Sequence, residues 1–308
     1  MLRAFFVHLS ENRSLRNFAE QSALGRRVSS RFVAGTEIAD AVRVTEAVNR
    51  AGMSVSIDNL GENVTSPDEA RQSAQLYHQI LDAIAANNLN ANISLKLTHM
   101  GLDVDEKLAR EQVLSLVDKA AAMTPRGFVR VDMEGSPYTQ RTLDFVHELH
   151  RMPGNGNSVG TVIQAYLKRS ETDVADLLAE GIRIRLCKGA YKEPASIAFE
   201  AKADVDANYI KLMKVLMTSG IYHGLATHDE KIIRAAQAFA VQEKIDRDSF
   251  EFQMLYGIRR DLQQKLVRDG WRMRVYIPFG TEWYPYFMRR LGERPANVFF
   301  IARNLLRK

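Results

Sequence analysis

From Ser54 onward, short apolar-rich runs alternate with segments of helical length, the pattern of a parallel sheet assembled from βα units. Eight runs stand out, at 54–58, 92–98, 128–133, 160–167, 182–188, 223–228, 250–256 and 271–278. Ser66 ahead of Pro67, and Ser170 ahead of the acidic turn Glu171–Asp173, mark two of the helix starts between them. Eight units in about 250 residues is the size of a closed barrel. The expected fold is therefore α/β, a (β/α)8 TIM-like barrel over residues 51–308 with an N-terminal helical extension over 1–50, all one domain. A doubly wound open sheet is the alternative. Its dinucleotide fingerprint is missing, because Gly154, Gly156 and Gly160 precede a strand instead of following one.

Strand alternation assigns faces. Ser94, Lys96 and Thr98 oppose Ile93, Leu95 and Leu97; Arg130, Asp132 and Glu134 oppose Val129, Val131 and Met133; Arg183 and Arg185 oppose Ile182, Ile184 and Leu186. With the aliphatic faces toward the helices, the charged faces meet at the barrel axis, where a buried charge needs a partner. A Lys96–Asp132 ion pair at the mouth is the expectation, and catalytic groups of such barrels lie at the C-terminal strand ends. Lys96, Asp132 and Arg185 are candidates on that ground, whereas Arg183 and Arg130, nearer the strand starts, are expected to be solvated. Beyond Tyr276 and Gly280, a last helix carries Arg289, Arg290 and Glu293. Two guanidinium forks there suit a small carboxylate, with Glu293 placed to orient one of them. A solvated basic face is the plain alternative for such a pair.

Composition narrows the class. The chain has 308 residues, 46% hydrophobic and 26% charged, which is the make-up of a globular protein with ample core. No apolar run is long enough to cross a bilayer. A single cysteine, Cys187, excludes an internal disulfide and a cysteine-built metal site, and fits a reducing, cytoplasmic setting. It reads as a small core residue. The net charge of +5 is concentrated in residues 1–31, where six arginines face only Glu11 and Glu20. An ordinary charged helix accounts for that segment; peripheral docking on a membrane's inner face is the sharper reading. His147 and His150 lack the four-residue spacing of a zinc-binding helix, so no metal is expected.

Several runs taken together resemble the proline dehydrogenase family, including the catalytic barrel of bifunctional proline-utilisation proteins. They are Ser94 to Leu97, Arg185 to Tyr191, Ala226-Thr227-His228, Phe250 to Gly257, Tyr276 to Gly280, and Tyr286 to Glu293. The likeness runs unbroken from about Arg31 to the C-terminus, and the short chain is similar to the monofunctional bacterial members. Two positions depart from the usual pattern: Cys187 replaces an aliphatic residue, and the third strand ends Asp132-Met133-Glu134-Gly135.

The resemblance implies FAD lying across the C-terminal strand ends and no nucleic acid partner. Arg185 would stand near flavin N5 and Gln164 would hydrogen-bond the ring. Lys188, Gly189 and Ala190 would meet the phosphates and adenine side, Thr227 and His228 would contact the cofactor further along, and Met133 would line it. L-proline's carboxylate would pair with Arg289, Arg290 and Lys96, with Tyr276 and Leu255 packed on its ring and Asp132 holding Lys96 and Tyr276. The implied reaction is hydride transfer from proline to give Δ1-pyrroline-5-carboxylate, electrons then passing to a quinone and the product to a pyrroline-5-carboxylate dehydrogenase. Two other readings of the residues stand beside it. One makes Lys96 or Lys188 a Schiff-base nucleophile, and the other makes the chain a basic module binding nucleic acid or anionic lipid.

Overall fold

A computed structural model of the protein describes residues 29–61 and 64–293 together with Ser22 and Gly25, and for 289–293 it describes the backbone alone. Eight parallel strands close in sequence order: β1 (Ser54–Asn59), β2 (Ala91–Leu95), β3 (Val129–Val131), β4 (Val159–Gln164), β5 (Arg183–Cys187), β6 (His223–Ala226), β7 (Phe250–Leu255) and β8 (Met273–Phe279). Helix α1 (Ile38–Arg50) precedes β1. Then α2 (Pro67–Ala86), α3 (Glu106–Ala122), α4 (Ser136–Arg151), α5 (Ser170–Ala179), α6 (Lys202–Thr218), α7 (Glu230–Gln242), α8 (Arg260–Arg268) and α9 (Trp283–Glu293) follow the strands in turn. The alternation read from the sequence is thus a (β/α)8 barrel. Pairing of β1 with β8, Ser56 beside Tyr276, completes it. The basic segment 1–31 falls almost wholly outside the described residues.

Helix starts follow local chemistry. Ser66 Oγ accepts a hydrogen bond from Glu69 N at 3.3 Å and Pro67 opens α2; Asp105 accepts from Leu108 N at 3.1 Å and opens α3. Ser170 behaves otherwise. It is the first helical residue of α5, and its buried hydroxyl donates to Leu167 O at 2.7 Å instead of capping the helix.

Outward-facing Val55, Ile57, Ile93, Leu95, Val129, Val131, Ile184 and Leu186 join the helix layer in one continuous core. Inside, where barrels usually stack branched apolar residues, this one is polar. Arg274 Nε donates to Glu251 at 2.6 Å, Gln253 Nε2 donates to Glu251 at 2.7 Å, and Arg274 also reaches Val55 O at 2.7 Å and Asn92 at 3.1 Å. Gly224 on β6 makes room for Gln253, since a Cβ there would come within 2.2 Å of the amide nitrogen. Arg130 corrects the sequence reading. It is 3% exposed rather than solvated, with one guanidinium nitrogen donating to Thr161 O at 2.7 Å and to Arg183 O at 2.5 Å. Phe128 covers it, its ring 4.7 Å from Arg130 and 4.4 Å from Arg183, so the barrel floor is sealed by an aromatic ring and Arg183 is half-buried. Strands β2 to β7 also end earlier than the apolar runs. Lys96 to Thr98, Asp132 and Met133, Lys188, and Thr227 and His228 lie past the ladder, in the loops that form the mouth.

Candidate active site

A cavity of 960 Å³ opens at the C-terminal strand ends, the size of a site for a large ligand. Twelve residues singled out from the sequence line it: Lys96, Asp132, Met133, Gln164, Arg185, Lys188, Gly189, Ala190, Thr227, His228, Leu255 and Tyr276. Arg289, Arg290 and Glu293 stand on α9 by their backbone, and their side chains lie outside what the structure describes.

Arg185 is the most constrained of these groups. Its guanidinium donates to Asp132 Oδ1 at 2.7 Å, Gln253 Oε1 at 2.6 Å, and the Ser94 and Ser56 hydroxyls at 3.1 Å each, and it lies 5.3 Å from the centre of the Tyr276 ring. Strands β1, β2, β5 and β7 and the loop after β3 thereby fix one cation beneath the cavity. Ser94 accepts from Arg185 and donates to Asp132 at 2.7 Å, so hydrogen bonds buttress the ion pair.

The expected Lys96–Asp132 pair gives way to another. Lys96 Nζ stands 3.4 Å from Asp58 Oδ2, on the strand to the other side, while Arg185 takes Asp132. Asp58 was not singled out in the sequence, although Ser54, Ser56 and Asp58 alternate with Val55 and Ile57 as the other charged faces do. At 1% exposure its carboxyl is raised by burial; the Lys96 charge opposes that shift and the Asp132 charge adds to it. Tyr276 donates to Asp58 at 2.6 Å and lies 3.1 Å from Asp132, linking the two carboxylates. Burial and those two negative neighbours push the Tyr276 phenol far up, so it keeps its proton. Tyr77 donates from α2 to Asp58 at 3.1 Å or Ser94 O at 2.9 Å. Gln253, also unforeseen, connects Arg185 to the polar axis. Its signal was again alternation, with Glu251 and Leu255.

Further along the mouth, Gln164 Nε2 donates to Glu134 O at 2.8 Å, and His228 Nε2 accepts from Leu255 N at 3.0 Å, which leaves the ring proton on Nδ1. Thr227 Oγ1 accepts from Asp229 N at 3.1 Å. Lys188 lies between Asp206 and Asp229. Burial pushes the Cys187 thiol up to about 12, which rules out a thiolate nucleophile at neutral pH. The cavity suits a long, partly anionic cofactor: a fixed guanidinium and the Gln164 amide at one end, lysines at the other, and Gly189 at φ +108° where backbone must pass close to a ligand. Among the described residues no group of histidines, cysteines and acids is arranged to hold a metal, and no helix is long and apolar enough to cross a membrane.

Two buried histidines give the barrel a pH signature. Burial and the Lys96 charge lower His99 to about 4; burial and the Arg130 and Arg183 charges lower His223 to about 3. Both stay neutral in the folded protein at pH values where the unfolded chain protonates them. Each therefore removes about 1.4 kcal/mol of stability per pH unit as pH falls below the ordinary histidine value near 6.5. Urea unfolding between about pH 5 and 6.5 should show that slope, and His223→Gln should flatten it, leaving the contributions of His99 and of His78 and His150, which burial also lowers. An identical slope in the variant would refute the assignment.

Comparison with known proteins identifies the family and agrees with the barrel fold. A family model described as proline dehydrogenase matches residues 41–303. The chain is 41% identical to proline dehydrogenase 1 of Bacillus subtilis (strain 168) over 309 residues, covering 100% of both. It is 40% identical to the proline dehydrogenase of Deinococcus radiodurans over 283 residues, 91% of this chain and 90% of that one. Among solved structures, it superposes on proline utilization A (PutA) from Bdellovibrio bacteriovorus, inactivated by N-propargylglycine, with a TM-score of 0.80 and 26% identity. That match takes in 87% of this chain and 32% of the larger protein, so the chain spans about a third of it. A family match over most of the sequence, full-length relatives at this identity and a shared barrel lead to one conclusion: the chain belongs to the proline dehydrogenase family.

Proposed function

We propose that this protein oxidises L-proline to Δ1-pyrroline-5-carboxylate with bound FAD and passes the electrons to a quinone. The observation that carries the proposal is the convergence of Lys96, Asp132, Arg185 and Tyr276 in one cavity at the C-terminal strand ends. FAD, when bound, supplies the ring that accepts hydride from the proline carbon beside nitrogen. The chain's own residues orient and charge the site. Lys96, with Arg289 and Arg290 from α9, binds the proline carboxylate, and Glu293 orients an arginine. Tyr276 and Leu255 pack on the pyrrolidine ring, and Asp132 and Asp58 hold Tyr276 through its hydroxyl. Arg185 presents a fixed positive charge where negative charge builds on reduction, with Gln164 and Met133 beside it. Lys188, Gly189, Ala190, Thr227 and His228 serve the remainder of the cofactor.

Lys96, half-buried, has its Nζ 3.4 Å from the Asp58 carboxyl, and a lysine engaged with a carboxyl is a poor Schiff-base nucleophile. The quinone would be met at a membrane surface, where the basic residues 1–31 favour anionic lipid. The product, an imine in equilibrium with its open aldehyde, calls for a pyrroline-5-carboxylate dehydrogenase as the next enzyme.

The test is spectroscopic. Purified protein should be yellow, and anaerobic L-proline should bleach the flavin band. Arg289→Ala should keep its FAD yet fail to bleach at proline concentrations that saturate the wild type. A wild type that holds FAD and ignores proline would overturn the substrate assignment; a colourless protein that takes up no FAD would overturn the cofactor.

A further inference from the structure

Lys188 leaves β5 where the cofactor phosphates are expected, yet its ammonium already has two anionic partners. Asp206, on the second turn of α6, and Asp229, the N-cap of α7, both hold it, the latter at 2.9 Å. Lys202 approaches the same carboxylates, 2.7 Å from Asp206 and 3.8 Å from Asp229. Two lysines and two aspartates thus form a square of zero net charge across the loop from β5 to α6. Burial raises both carboxyls, but the Lys188 hydrogen bond and the adjacent ammonium charges more than offset it, holding both below the usual carboxylate range and ionised at neutral pH.

An entering pyrophosphate meets a lysine that is already neutralised. It must take the ammonium from two carboxylates that then repel it, since like charges a few ångströms apart oppose each other even at a high effective dielectric. We propose that Asp206 and Asp229 form a carboxylate latch on Lys188, which the cofactor's pyrophosphate displaces, so that this pair sets how tightly the dinucleotide is held and how fast it leaves. The proposal rests on the FAD reading of the cavity. The phosphate-bearing half of the ligand is its target, and the ring-binding residues are untouched by it.

The experiment titrates FAD and, separately, riboflavin into full-length protein stripped of flavin, following the quenching of flavin fluorescence at low salt. Asp206→Asn and Asp229→Asn keep the size of each side chain, remove its charge and leave one acceptor oxygen where the carboxylate had two. In Asp229→Asn the new amide oxygen can still accept from Lys231 N, so the α7 cap survives. Each variant should bind FAD about three- to tenfold more tightly than wild type. The gain should shrink as salt is raised, and riboflavin, which has no phosphate, should bind all three proteins alike. Unchanged or weaker FAD binding in both variants, with wild type still binding FAD, overturns the latch alone. An equal gain for riboflavin also overturns it, because the effect would then lie in the cavity at large. If wild type takes up no FAD, the FAD reading itself falls and the latch with it. A variant that does not fold leaves the other to decide.

Discussion

Asp132→Ala should reduce proline turnover by roughly 150-fold while the barrel still folds, because it strips the counter-ion from a buried Arg185. The two side chains are only 7% and 13% exposed, so water cannot replace the lost carboxylate fully. Removing one partner of such a pair typically destabilises the folded state by about 3–5 kcal/mol, and a misaimed Arg185 that raises the reaction barrier by about 3 kcal/mol accounts for the loss of turnover. Gln253, Ser94 and Ser56 would still hold the guanidinium from below, which is why the fold should survive. Its direction would change, and Tyr276 would lose one of its two carboxylate neighbours. Asp132 acts through Arg185 and Tyr276, so it is a positioning residue, and the conservative variant provides the discriminating readout. Asp132→Asn restores an acceptor for Arg185 without the charge, and should recover about tenfold of the lost kcat/KM. Stopped-flow flavin reduction, with FAD content and thermal stability measured alongside, checks both. Turnover within threefold of wild type in Asp132→Ala would sink the assignment.

The strands and their faces were legible because alternation is a local property. Ser94 and Lys96, or Arg130 and Asp132, declare one side of a strand without reference to any other. Which charge meets which is a property of the closed barrel. Lys96 sits on the loop after β2, flanked by β1 and β3; the β2–β3 register continues to place Asp132 opposite it, whereas Asp58 pairs with Ser94 two residues earlier, so local register favours Asp132 and gives no hint of Asp58. Strand tilt and closure decide it, by carrying Arg185 across the axis from β5 to Asp132. Similarly, Arg130 reads as solvated because its place near a strand start suggests the open bottom, but Phe128 closes that end and two backbone carbonyls accept from one guanidinium nitrogen, while Nε is buried without a hydrogen-bond partner among the described residues. The arginines of α9 are a different case. Two adjacent guanidinium groups on a helix suit a carboxylate or a solvated face equally, and the proposal that they bind the substrate rests on the family to which the chain belongs.

Gly189→Ala should weaken FAD binding by about a hundredfold, and crowding, not backbone strain, should be the cause. Gly189 adopts φ +108°, and an added Cβ would lie 2.1 Å from Tyr166 Cδ1 and 2.4 Å from Cε1. The Tyr166 ring cannot simply retreat. Its backbone N–H donates to Lys188 O at 2.9 Å and its carbonyl accepts from Phe199 N at 2.8 Å, so Tyr166 is held between the exit of β5 and the loop that leads to α6. Either that ring turns into the cavity or residues 188–190 move off the path expected for the pyrophosphate; both obstruct the cofactor. Positive φ by itself costs an alanine about 1 kcal/mol, and that part can be measured separately. Gly154 sits at φ +87° with nothing within 4 Å of where its Cβ would be, far from the mouth. Gly154→Ala should lose a similar small amount of stability and keep full flavin content. The ratio of flavin to protein after purification, followed by FAD titration of each variant, separates the two effects. A Gly189→Ala protein as yellow as wild type would mean that the loop after β5 yields without moving the phosphate path, and that Gly189 is there for the turn alone.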